Sequence, residues 1–140
     1  MKKLHLLMIF FFNCYTIEKI NFIKFNRNDI NSMKAMFSNC KYLTELNLNN
    51  FNTENVTDMS YMFCNCKHLK ELNLNNFNTE NVTDMRRMFS GCSSLEELNL
   101  NNFNINNVTD MKGMFSGCSD ELKMEIKSEI KNLKDEAFED

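Results

Sequence analysis

The sequence has no proline, no tryptophan and only three glycines. Proline and glycine are the residues that most often mark turns, so this chain must turn by other means. Asparagine, present at 24 positions, can replace them, because it tolerates left-handed backbone and hydrogen-bonds to its own main chain. The composition therefore predicts many asparagine-based turns in a single domain of 140 residues.

The residues of common active sites are also scarce. The two histidines are His5 and His68, and the chain has neither a phosphate-binding glycine loop nor a GxSxG nucleophile motif. The net charge is -3 and no basic stripe is present, which argues against nucleic-acid binding. We therefore expect no enzyme activity, no cofactor, no metal and no nucleic-acid partner.

The chain contains three copies of one motif. It reads FNTENVTDMSYMF at 51–63, FNTENVTDMRRMF at 77–89 and FNINNVTDMKGMF at 103–115. The period is 26 residues, and five cysteines follow it: Cys14, Cys40, Cys66, Cys92 and Cys118. Repetition at a fixed period is typical of stacked units, since a unit that cannot bury its apolar side alone buries it against its neighbours.

Apolar spacing within one unit predicts two kinds of element. Val56, Met59 and Met62 are three residues apart, which predicts a short helix, whereas Leu72 and Leu74 are two apart, which predicts a short strand. We expect the following residues to be buried in stacked columns: Leu46, Leu72, Leu98, Leu48, Leu74, Leu100, Met62, Met88, Phe63 and Phe89.

Asn55 and Asp58 flank the predicted helix at the spacing of an N-terminal cap. The pair recurs at 81 and 84 and at 107 and 110. Asn-Val-Thr is formally a glycosylation acceptor, and the aspartate column resembles a calcium ladder. Capping explains both patterns already.

The unit LxxLNLNNFNTENVTDMxxMFxxC resembles the BspA-type leucine-rich repeat (surface protein) family over roughly residues 4 to 118. The resemblance implies an α/β fold: a right-handed solenoid with short parallel strands on one side and short helices on the other. Some members of that family are similar to adhesins that bind host matrix proteins or other cells. The resemblance therefore implies a protein partner, and a cell-surface or secreted location.

The chain divides into a repeat array, 1–118, with about four and a half units, and a C-terminal amphipathic helix, 119–140. One apolar stripe defines that helix: Leu122, Ile126, Ile130, Leu133 and Ala137. Ser119 or Asp120 can cap it. We interpret it as the polar cover that a terminal unit needs; a partner-binding helix is the alternative.

The N-terminal stretch MKKLHLLMIFFFNC allows three interpretations. Leu4, Leu7 and Phe10 lie 26 residues before Ile30, Met33 and Met36, which makes the stretch a degenerate first unit. Its apolar residues on all sides leave the three interpretations open: the cut end of a longer array, a unit covered by another segment, or a drifted leader. No small-residue cleavage site follows, and the run is shorter than the roughly 20 residues of a membrane-spanning helix.

Residues that alternate with the strand leucines should point outward and form columns. We predict that a protein partner binds these columns: Glu45, Glu71, Glu97, Asn47, Asn73 and Asn99. Three alternatives stay open: a solvated face produced by copying, a structural or truncated fragment of a longer array, and a weak cation binder using the stacked acids. The variable residues Tyr61, Arg86 and Arg87 form a rival binding face.

The cysteine column follows the repeat period and is interpreted as a ladder of buried thiols. Cys64 stands where other units have Ser38, Ser90 and Ser116, so we expect it to be more exposed. A metal or redox pair of Cys64 and Cys66, near His68, is the weaker alternative.

We expect Cys40, Cys66 and Cys92 to be unbridged thiols. In denaturant without reductant, each should react with a thiol reagent, because no disulfide protects it. Thiols that are missing in pairs and return after reduction would contradict this and indicate an oxidising compartment.

Overall fold

A computed structural model gives the structure of residues 11–22, 25 and 27–140. These residues contain four short strands and two helices: β1 (Lys19–Asn21), β2 (Glu45–Asn47), β3 (Glu71–Asn73), β4 (Glu97–Asn99), α1 (Asp120–Glu129) and a 3-10 helix (Asp135–Ala137). The content is mixed α/β, as expected. Leu4, Leu7 and Phe10 lie outside the described residues, so the interpretations of the N-terminal stretch stay predictions.

Strand pairing is parallel and follows the sequence period. β1 pairs with β2 and β3 pairs with β4, each at an offset of 26 residues, as in the pair Leu72 and Leu98. The same offset links Asp58 to Asp84 and Asp84 to Asp110 in isolated bridges. Because successive units have nearly the same sequence, equivalent backbone groups lie beside each other when the units stack. The strand register therefore equals the repeat period.

The short helices predicted between the strands are wrong. Residues 60–65 form successive turns, and α1 is the only α-helix among the described residues. Tyr61 and Asn65 have left-handed φ values of 59° and 61°, which a right-handed helix cannot contain. Their amides bond outside the unit, Tyr61 N–H to the Arg86 carbonyl at 3.0 Å and Asn65 N–H to the Ser90 carbonyl at 2.7 Å. A helix would use these amides internally.

The three-residue spacing that suggested a helix comes from the turns themselves. Met62 N–H donates to the Met59 carbonyl at 3.3 Å, and Cys66 N–H donates to the Phe63 carbonyl at 3.1 Å. A bond between residues three apart returns the chain to the same side. Successive turns therefore bury Met59, Met62 and Cys66 as a helix face would.

Asn55 and Asp58 do not cap a helix, contrary to the prediction. Asn55 Nδ2 donates to the Asn28 carbonyl of the preceding unit at 2.9 Å, and the two later copies of this asparagine repeat the bond at 2.8 and 2.7 Å. Asp58 Oδ1 accepts from the Ser60 amide at 2.9 Å. The asparagine therefore joins units and the aspartate closes a local turn. The nitrogen that a glycan would need is already hydrogen-bonded.

Columns of identical residues form the core. Phe37, Phe63, Phe89 and Phe115 are fully buried, and their ring centroids are stacked at 5.8, 5.6 and 5.6 Å. Aromatic pairs of this kind contribute about 0.5–1.5 kcal/mol beyond area burial. All the predicted core residues are buried except Leu46, which is half-buried and packs against the core.

Two buried threonines, Thr53 and Thr79, each form two hydrogen bonds to the following unit. Thr53 Oγ1 donates to the Asn78 carbonyl at 2.9 Å and accepts from the Asn78 amide at 2.8 Å. Thr79 makes the same two bonds with Asn104, at 3.0 and 2.8 Å. A hydroxyl can do this because it both donates and accepts. The third copy of the position is Ile105, which is half-buried against the core.

The C-terminal segment is one helix followed by a turn, and the single helix predicted over 119–140 is wrong beyond residue 129. Ser119 caps α1 as predicted, because its side chain accepts from the Leu122 amide at 3.2 Å. Leu122 and Ile126 are buried. Beyond α1, Asn132 has a left-handed φ of 71°, which interrupts any continuing helix.

Residues after this turn bond to the last repeated turn. Gly113 N–H donates to the Glu136 carbonyl at 2.7 Å, and Phe115 N–H donates to the Ala137 carbonyl at 2.8 Å. The Phe138 ring stacks on Phe115 at 5.5 Å. The C-terminal segment thus supplies the acceptors and the aromatic ring that another unit would supply. The division into array and cap stays a prediction.

Replacing Thr79 with valine tests the connection between units. Valine keeps the shape but leaves the Asn104 amide and carbonyl without their side-chain partner, so we expect a loss of about 1–3 kcal/mol in the free energy of unfolding. Thr83→Val is the matched control, because Thr83 is exposed and its bond to the Thr57 carbonyl duplicates a backbone bond. Urea titrations that give equal losses for both variants would contradict this role for Thr79.

Candidate functional site: the open face of the strands

The predicted acidic column lies on the exposed side of the strands. Glu71 and Glu97 are register partners on β3 and β4, and Glu45 has the same position on β2. All three are exposed, whereas Leu72 and Leu98 between the flanking positions are buried in the core. The alternation predicted from the two-residue spacing is confirmed, and the binding role of the column stays a prediction.

The charges of this column are not equivalent. On β1 the corresponding residue is Lys19, whose Nζ lies 2.5 Å from Glu45 Oε1. The hydrogen bond that Lys19 donates to this carboxylate raises the pKa of Lys19. Glu71 and Glu97 make no ion pair within the described part of the chain. The column is therefore neutralised at its β1 end and negative on β3 and β4.

In each asparagine of the column, the side-chain oxygen has a structural role. Asn47, Asn73 and Asn99 each accept, through Oδ1, the main-chain amide two residues later, at 3.0 Å in every case. Their Nδ2 groups have no partner among the residues described here. β2, β3 and β4 therefore each present a carboxylate and, two residues later, an N–H donor.

Two concavities follow the columns. The larger, about 510 Å³, lies over β1, β2 and the exposed residues Glu71 and Asn73 of β3, and the smaller, about 250 Å³, is lined by β3 and β4. The described strands β2 and β3 are in contact but are not hydrogen-bonded to each other. The half-buried Leu46 lies at this boundary. The face is therefore a shallow polar trough with an apolar part in its floor.

The aspartate column has no open ligand set for a cation. Arg86 lies between two of its members, with Nη2 at 2.6 Å from Asp84 and Nη1 at 3.5 Å from Asp110. The hydrogen bond that Arg86 donates to Asp84 is the largest cause of the raised pKa of Arg86, and the negative charge of Asp84 is the second. Within residues 11–22, 25 and 27–140, no three histidine, cysteine or acidic side chains converge as metal ligands do.

From Cys40 onward the column cysteines are buried, and none of these four forms a disulfide. Each of these thiols lies near the main-chain carbonyl of a phenylalanine in the preceding unit, at 2.8 to 3.3 Å. Burial raises the pKa of Cys40 to about 12 and that of Cys118 to about 11. It also raises the pKa of Cys66 and of Cys92. Nucleophilic attack needs a thiolate, so these thiols are inert at neutral pH.

Cys64 is buried too, and it is only slightly more exposed than the column cysteines from Cys40 onward. The residue is 8% exposed, and burial raises its pKa. The serines at the equivalent positions are equally buried, so a small polar residue was a misleading sign of exposure. His68 Nδ1 lies 2.7 Å from the Lys41 carbonyl, which places one ring nitrogen in a structural bond.

A second exposed surface was not predicted. Two positions follow the column cysteine in successive units: Lys41-Tyr42, Lys67-His68 and Ser93-Ser94. All of these residues are exposed except Ser94, which is half-buried. A recess of about 210 Å³ at this surface is lined by Tyr15, Asn39, Lys41, Asn65 and Lys67. The available signal was variation, because these positions differ between units while residues 46–59 and 72–85 are identical.

The buried thiols predict a loss of stability in alkali. Their pKa values are raised from 9.0 in the fold, so the unfolded chain releases these protons first. Their contribution to the free energy of unfolding is complete below pH 9 and falls as the pH rises toward 11 and 12.

Cys92→Ala tests this linkage. Over the same pH range, this substitution should reduce the slope of the free energy of unfolding against pH by up to about 1.4 kcal/mol per pH unit. That value corresponds to the release of one proton. Chemical denaturation of the reduced protein at several pH values measures the slope. An unchanged slope in the variant would show that Cys92 ionises equally in both states.

In the described part of the chain, no helix has the length and apolar content needed to cross a bilayer. No curated protein and no solved structure matches the sequence. One family model matches residues 6–129, a range that includes all four strands and the whole of α1. Because this match covers far more than half of the chain, the protein belongs to the family described as Mycoplasma protein of unknown function, DUF285.

Proposed function

We propose that the chain is a non-catalytic protein-interaction module of the BspA type, a right-handed solenoid whose open strand face binds a basic protein segment. The observation that carries the proposal is the exposed column of Glu45, Glu71 and Glu97 beside three asparagine amide groups. The family resemblance adds a cell-surface, adhesin-like role.

The charge of the column supports a basic partner. Glu71 and Glu97 lie on hydrogen-bonded parallel strands, which are roughly 4.8 Å apart. Two carboxylates at this separation repel each other, and a lysine or arginine side chain between them removes the repulsion. Lys19 already makes such a contact with Glu45 inside the chain, which supports an ammonium group as a suitable occupant.

The asparagine groups support an extended segment as the partner's form. The Nδ2 atoms of Asn47, Asn73 and Asn99, which have no partner among the described residues, can donate to main-chain carbonyls, while the glutamates accept from basic side chains. An extended chain crossing the strands offers both kinds of group at regular spacing. The trough of about 510 Å³ gives this chain a place to lie.

The buried groups support a non-catalytic role. The thiols of Cys66 and Cys92 are protonated at neutral pH because burial raises their pKa values. Arg86 is paired with aspartates. The exposed columns repeat a contact; they do not converge on one reacting atom, as the groups of an active site do.

Charge reversal on the strands tests the proposal. Glu71→Lys/Glu97→Lys should weaken binding of an alternating lysine–threonine peptide, and of any purified matrix protein that the wild type binds, at least about tenfold, because like charges then face each other. Surface plasmon resonance should also show that the wild-type association rate falls as salt rises.

Glu54→Lys/Glu80→Lys is the matched control. It makes the same change of charge at two exposed repeat positions outside the strands, and it should bind like the wild type. Equal loss of binding in both double variants would show that net charge alone explains the effect. Sensitivity at Tyr61, Arg86 and Arg87 alone would move the binding face to the turns and contradict the proposal.

A further inference from the structure

The recess of about 210 Å³ beside the turns differs chemically from the strand face. It is lined by Tyr15, Asn39, Lys41, Asn65 and Lys67. Each of these side chains has an N–H or O–H donor, and none is a carboxylate. In a chain with a net charge of -3, a recess with two ammonium groups and no acid is suited to an anion.

The two asparagines are held in a fixed orientation. Both have a left-handed φ of 61°, and their main-chain amides donate to carbonyls of the next unit at 2.7 Å. Asn65 Nδ2 donates to Asn39 Oδ1 at 3.0 Å. Asn39 Nδ2 therefore lies on the other side of its carboxamide, with no acceptor among the described residues, and is available to a bound group.

Both lysines line the recess, and Lys41 Nζ also lies 5.1 Å from the centre of the Tyr42 ring. Lys41 and Lys67 occupy the same position in adjacent units, both are exposed, and neither makes an ion pair within the described residues. Backbones of paired units are separated by roughly 5 Å, so the ammonium groups can reach one oxyanion together. Such an anion would remove their mutual repulsion and gain charge-assisted hydrogen bonds.

An aromatic side chain adds an apolar surface to the recess. Tyr15 is 54% exposed, among the few large apolar side chains left open in the described structure. The face of a phenol ring carries a negative quadrupole and packs against groups with positive edges. The C–H groups on one side of a sugar ring have that character.

The aromatic and cationic side chains at this repeat position are confined to one place in the array. The position occupied by Tyr15, Lys41 and Lys67 in successive units is Ser93 in the next unit. Tyrosine, lysine and lysine therefore form one site, and the column does not continue into the last repeat. The serine also shows which substitution this position accepts without a change of fold.

We propose that this recess binds a sulfated or phosphorylated sugar. The oxyanion lies between Lys41 and Lys67 and accepts from Asn39 Nδ2, and the sugar ring packs on Tyr15. The site is independent of the acidic strand face, so it adds a second kind of ligand to the same framework.

Glucose 6-sulfate, glucose 6-phosphate, glucose and inorganic sulfate are suitable probes, titrated against the full chain at constant ionic strength and followed by NMR chemical shifts. The wild type should bind the two charged sugars at least tenfold more tightly than glucose. Lys41→Ser/Lys67→Ser should weaken that binding at least tenfold. The matched control Lys34→Ser/Lys112→Ser removes the same charge from two other exposed lysines and should change binding less than twofold.

Tyr15→Ser separates the sugar from the oxyanion. It should weaken binding of the charged sugars and leave binding of inorganic sulfate unchanged. Thermal unfolding checks that each variant is folded.

Equal binding of glucose and glucose 6-sulfate, or equal losses in the two double-lysine variants, would overturn the proposal. Inorganic sulfate that binds as tightly as glucose 6-sulfate would overturn the sugar assignment. Glu71→Lys/Glu97→Lys should retain sugar binding, which keeps this test separate from that of the strand face.

Discussion

The fold depends on main-chain hydrogen bonds that leave one unit and end in the next. Phe63 N–H, for example, donates to the Met88 carbonyl at 2.9 Å, and Phe89 N–H donates to the Met114 carbonyl at 2.9 Å. A buried amide without a partner is costly, so no unit is complete without its neighbour. This requirement places left-handed residues in the turns, because they direct successive amides to the same side. It also explains why the C-terminal residues Glu136 and Ala137 bond to the last repeated turn.

Asparagine side chains make a second set of connections between units, in a chain with no proline and little glycine. Asn76 shows the range of its bonds, since Nδ2 lies 3.1 Å from the Leu48 carbonyl, 3.3 Å from that of Asn49 and 3.0 Å from that of Phe51. Other asparagines close local turns or hold left-handed backbone. The unusual composition is therefore a consequence of the architecture, because each unit needs a polar side chain that can bond both to its own loop and to the preceding one.

Stacking also decides how the surface can differ from place to place. A residue copied at a period of 26 becomes a column, so a repeated glutamate produces an acidic stripe on the strands. A position that varies produces a local feature, such as the recess lined by Tyr15, Lys41 and Lys67. The two surfaces have opposite charge although they belong to the same units. Repetition supplies the framework and an extended face, and departures from repetition supply a separate recess.

The sequence by itself determined the period, the parallel register, the alternation on the strands and nearly all of the core, because stacking aligns identical residues whatever the local backbone does. It also placed the glutamate column on the exposed face. The tertiary structure decided the rest. Whether residues three apart form a helix or a series of turns depends on where the amides bond, and here those of Tyr61 and Asn65 bond to the next unit. The burial of Cys64 and the recess lined by Lys41 and Lys67 likewise arise from contacts between units, which no single unit of the sequence contains.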